Sequence, residues 1–118
     1  MPPPQQISLI EAIMYGFRFT RANASWLVII CPEGLVGDLR QHMVAAAPDD
    51  ARCSGRTVRL GHGGCLSVVA STDEIFLPAG TPFSAIFVGW GDSPEVDMKD
   101  MHRWKEAASQ VVSKVDHD

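Results

Sequence analysis

Long hydrophobic runs are what this 118-residue chain most plainly lacks. The longest, WLVII at 26–30, falls far short of the roughly 20 apolar residues that a membrane-spanning helix needs, so no membrane association is expected. The opening MPPPQQ has neither a basic stretch nor an apolar one behind it, so no secretory leader is expected there. Cysteine is scarce and odd in number. Cys31, Cys53 and Cys65 cannot all pair, which suits a reducing compartment better than a disulfide framework, and a cytoplasmic location is the expectation. Internal repeats are missing too, as are low-complexity tracts beyond the leading prolines, which sets repeat architectures aside.

What is present suits a folded domain. A hydrophobic fraction of 46% with 20% charged residues is ordinary for globular proteins. The length allows one domain with a real core, over 7–118, behind a Pro-rich lead-in at 1–6 that should not begin as helix. The net charge of −4 is unevenly spread: residues 71–118 hold nine acids against four bases. That imbalance argues against broad, phosphate-driven nucleic-acid binding while leaving room for a local arginine patch.

Periodicity supplies the elements. Leu9, Ile10, Ile13, Met14 and Phe17 recur at helical spacing, with Ser8 and Glu11 placed as in a capping box, and predict a helix over 8–21. WLVIIC at 26–31 is β-branched and continuous, as in a strand buried on both faces, and Pro32 ends it. Leu35, Val36, Leu39 and Met43 predict an amphipathic helix over 33–47, stopped at Pro48. RTVRL at 56–60 and CLSVVA at 65–70 flank Gly61-His62-Gly63-Gly64 and predict a hairpin. A loop over 71–82, with room for a short strand at 75–77, leads to a second apolar strand at 84–88. Met101, Trp104, Ala108, Val111 and Val115 then predict one long helix over 96–115. Two buried strands separated by a helix imply a parallel crossover. The expected fold is a small three-layer α/β sandwich: a mostly parallel sheet with a β-hairpin, and helices on both faces.

SWLVIICPEGLVGDLRQHM, RTVRLGHGGCLSVVAS and AGTPFSAIFVG, in that order, resemble the ATPase core of phage large terminase subunits over roughly residues 8–95. The resemblance lies in the succession of elements rather than in a motif string, and it implies a P-loop NTPase-like domain encoded by a phage or mobile element. The departures define what such a domain could still do. A Walker A loop needs glycines and a lysine to hold phosphate, and its position holds MPPPQQIS, with Ser8 where the magnesium-binding hydroxyl would stand. The Walker B strand should end in Asp-Glu, and here AIFV ends in Gly89-Trp90. The resemblance therefore implies a degenerate domain without ATP hydrolysis, and no cofactor is expected.

Other chemistry is weighed residue by residue. Gly91-Asp92-Ser93 is similar to the GDS block of SGNH-type serine esterases, but the closing VDHD lacks the Asp-x-x-His spacing that supplies their base. Asp92 or Ser93, with Pro94 behind it, reads better as a helix cap. Cys31, Cys53, His62 and Cys65 hold one close ligand pair, His62-x-x-Cys65, which is too little to expect a metal. Arg52, Arg56 and Arg59 form the one basic cluster, and with His62 in its glycine turn they give an alternative reading as a nucleotide or nucleic-acid site. Basic residues on a solvated strand face, which discourage edge pairing, are the plainer account. Trp90 between two glycines suits an exposed anchor for a protein partner as well as a residue folded onto the core. The expectation is a non-catalytic binding module whose patch comprises Gly89, Trp90, Gly91 and Asp92, with no catalytic residue.

Overall fold

A computed structural model describes residues 4–77, 80–89 and 98–112. In chain order the elements are α1 (Pro4–Asn23), β1 (Trp26–Cys31), a 3-10 turn at Glu33–Leu35, α2 (Val36–Ala46), β2 (Arg52–Ser54), β3 (Thr57–Arg59), β4 (Cys65–Ala70), β5 (Ser84–Phe87), α3 (Met98–Ala107) and β6 (Gln110–Val112). The strands form one sheet in the order β2-β3-β4-β1-β5-β6. β1 pairs parallel with both β4 and β5, and β6 pairs parallel with β5. β2 and β3 add an antiparallel extension on the β4 side. This is the α/β sandwich expected from the sequence, mostly parallel and carrying a hairpin.

Strand alternation divides the core into two layers. Leu27, Ile29 and Cys31 point to one side and join Leu9, Ala12 and Ile13 of α1 with Leu39 and Met43 of α2. Val28 and Ile30 point to the other side, among Val69, Leu77, Phe83, Ala85 and the fully buried Trp104 of α3. Because β1 is covered on both faces, it reads as an unbroken apolar run instead of alternating.

The connections follow one hand. From β1 the chain reaches β4 through α2, on the α1 side of the sheet. The β4–β5 connection runs back past β1, and the β5–β6 connection continues that way; both use the other face, where Leu77 and Trp104 pack. A reversal of direction along the sheet combined with a change of face gives both sets of crossovers the same hand.

Four local expectations are corrected. α1 begins at Pro4 rather than behind a non-helical lead-in. A proline in the first helical turn gives up only an amide that has no intrahelical partner there. Ser8 consequently lies inside the helix and not at its start. Residues 75–77 form no strand; Ile75, Phe76 and Leu77 instead pad the α3-side core. β2 was not anticipated: Ser54 pairs with Thr57 around Gly55-Arg56, and Gly55 adopts φ +60° as the first central residue of a two-residue turn. The long helix expected over 96–115 ends at Ala107, where the Ser109 amide donates to the Phe83 carbonyl (2.8 Å) and draws Gln110–Val112 alongside β5 as a strand. Residues 96–97 and 113–115 of that expectation lie outside the described residues.

Candidate functional site at the carboxyl ends of β1 and β5

In a doubly wound sheet, loops leaving two adjacent parallel strands toward opposite faces open a crevice at the strands' carboxyl ends, and ligands bind there. β1 and β5 are adjacent and parallel; Pro32–Leu35 joins β1 to α2, and α2 and α3, the helices that follow the two strands, pack on opposite faces of the sheet. The pair is locked in register, Ile30 opposite Phe87, and the Val88 amide donates to the Ile30 carbonyl at 3.0 Å.

Gly89 sits where the chain leaves β5, packed against the loop that leaves β1. Its φ is +94°, a left-handed backbone that strains any residue with a side chain. A Cβ there would also stand 2.5 Å from Leu35 Cδ1 and 3.0 Å from Pro32 Cδ, so glycine is required twice over. Glu33 and Gly34 form an exposed rim, and a Cβ on Gly34 would meet nothing within 4 Å. Gly89 is thus the described member of the four-residue patch expected from sequence. Trp90, Gly91 and Asp92 follow it directly in the chain and lie outside the described residues, as does Ser93.

Cys31, at the end of β1, is chemically quiet. Burial pushes its thiol up to about 12; the nearby Arg40 charge pulls the other way, and Asp73 adds to the rise. Its Sγ–H donates to the Val69 carbonyl at 3.6 Å. A thiol held neutral in this way is neither nucleophile nor metal ligand near neutral pH. Cys31 pairs with Ala70 and Cys65 with Trp26, which sets the two cysteines at opposite ends of β1 and β4. Among the described residues no three His, Cys, Asp or Glu side chains gather as metal ligands would.

The arginine and glycine set of the alternative reading is divided between the two ends of the β2–β3 hairpin. Arg52 and Arg59 face each other across β2 and β3 and are exposed. Arg56 sits in the turn with its guanidinium 4.8 Å above the Phe76 ring. The Gly61–Gly64 turn packs instead on the carbonyl end of α1. His62 Nε2 donates to the Thr20 carbonyl at 3.0 Å, and a Cβ on Gly64 would come within 2.5 Å of the same oxygen. With the Asp50 carboxylate against Gly61, these surroundings favour cations over phosphate. Sequence reasoning missed Arg40, whose fork on the Val68 carbonyl brings it near Arg56; nothing in a helical pattern signals that reach.

The fold defines a doubly wound α/β domain in which the connections change face between β1 and β5, the position where sheets of this kind usually bind ligands. No family model, curated protein or solved structure matches this chain.

Proposed function

We propose that this chain is a non-catalytic binding module that holds a protein partner at the carboxyl ends of β1 and β5. The observation that carries this reading is Gly89 itself, held at φ +94° against Leu35 and Pro32 where the chain leaves β5, beside the exposed Glu33 and Gly34. Trp90 follows immediately in the chain, and tryptophan is among the residue types that most often anchor an interface. In the succession β1, α2, hairpin, β4, β5, the reading keeps a degenerate NTPase-like domain of phage or mobile-element origin, related to the terminase ATPase core and acting in the host cytoplasm. Ser8 lies more than a full turn inside α1, whereas a magnesium-binding hydroxyl opens its helix; this supports loss of the phosphate chemistry. Among the described residues, no helix is long and apolar enough to cross a membrane.

The test compares partner co-purification by the wild-type chain with that by Trp90→Ala and Gly34→Arg. Both substitutions should abolish capture while leaving the circular dichroism spectrum unchanged. Retention of the partner by either well-folded variant overturns the proposal.

A further inference from the structure

β4 runs past the end of β3, and a cleft of about 730 Å³ opens where the two part. The last rung between them is the Val68 amide donating to the Arg56 carbonyl. Beyond it, side chains replace the missing strand. Arg40 donates from Nε and Nη2 to the Val68 carbonyl at 3.1 and 3.0 Å, and the Ala70 amide donates to Asp73 Oδ2 at 3.1 Å. Arg40 and Asp73 are thereby anchored at the cleft with hydrogen-bonding capacity left over, Nη1 on one and Oδ1 on the other. Arg56 is steadied over Phe76, Glu74 completes the charged lining, and Ile75 lies beside Phe76 as an apolar wall.

The cleft therefore carries two guanidiniums and two carboxylates. Among the described residues the ion pairs are His102–Glu106 and Arg103–Asp100, so none of these four charges is paired with another. A ligand of one sign would be attracted by half of the lining and repelled by the other half. A ligand carrying both signs would meet a partner at each end.

We infer that this cleft binds a small zwitterion with a free carboxylate and a free ammonium group, of the size of an amino acid or short peptide. The carboxylate lies toward Arg40 and Arg56, the ammonium toward Asp73 and Glu74, and an apolar side chain rests against Ile75 and Phe76. The volume lies within the range of small-molecule sites. This cleft is separate from the carboxyl ends of β1 and β5, and neither reading depends on the other.

The test is calorimetric titration of the full chain at low salt with the dipeptide Ala-Leu, its N-acetyl derivative, its C-terminal amide, and inorganic phosphate. Ala-Leu should bind saturably, and each blocked form should bind at least tenfold more weakly. Arg56→Ala and Glu74→Gln, both at exposed positions, should each weaken Ala-Leu about tenfold with the fold intact; Arg40 and Asp73 are left alone because they close the edge of β4. Absence of Ala-Leu binding at millimolar concentration overturns the inference. So does equal binding of a blocked form, indifference to both substitutions, or phosphate binding that exceeds that of the dipeptide.

Discussion

A single sulfur at the end of β1 shows how position governs chemistry. Cys31, Cys53 and Cys65 are the same residue type, yet Cys53 is exposed on β2 while the other two are buried. Native protein should therefore release one equivalent of thiol to an aromatic disulfide reagent and three after denaturation. Two or three fast thiols in the native state would contradict the burial. The raised Cys31 value also sets a sign. The folded state keeps its proton between pH 9, the ordinary thiol value, and about 12, while the unfolded chain releases it. Stability from this group is complete below pH 9 and is lost as pH rises through that window. Cys31→Val should flatten the alkaline limb of a stability-against-pH curve, and an unchanged limb would remove Cys31 as its source. The exposure of Cys53 was legible in neither spacing nor composition, because the sequence did not reveal β2. The two buried cysteines were legible, since each stands at the end of an apolar run.

Among the elements, α3 shows where sequence patterning succeeds and where it stops. Met101 and Trp104 recur at helical spacing, and both are buried as that spacing predicts. The helix is fastened by polar groups that no periodicity reveals: Trp104 Nε1 and Arg103 Nη2 both donate to the Ser71 carbonyl, at 3.0 and 2.8 Å, and Arg103 Nη2 also donates to that of Asp73. Trp104→Phe keeps most of the apolar volume but removes one of these donors. It should cost about 1–2 kcal/mol in chemical denaturation, with Arg103 still satisfying the carbonyl. A loss below a few tenths would mean that the indole hydrogen bond contributes nothing. The same periodicity ran on through Val111 and Val115 and predicted helix where the chain turns into β6. Three- and four-residue steps cannot register that the edge of β5 was open; that is a tertiary fact, and it overrides local preference.

At the scale of the whole molecule, both core layers share β1. Leu27 and Ile29 belong to the α1–α2 layer, Val28 and Ile30 to the α3 layer, and all four are fully buried. Ile29→Ala should cost about 2–5 kcal/mol. Because the strand is common to both layers, backbone ellipticity and tryptophan fluorescence should still shift together to one lower midpoint. Separate midpoints would show that the layers unfold independently. The burial of β1 and β5 and the α/β class were readable from WLVIIC and SAIF. The order of the strands was not, because a run of apolar residues says that a strand is buried without saying between which neighbours.

That order has a consequence for the chain as it is made. β4 emerges soon after α2 and can close one side of β1, but the other side waits for β5, which comes only after the whole 71–83 connection. During synthesis a growing chain that has reached residue 77 presents the amides and carbonyls of its most apolar strand along an open edge. This interval, rather than any weakness of the finished fold, is when the protein is most exposed to misassembly with its neighbours.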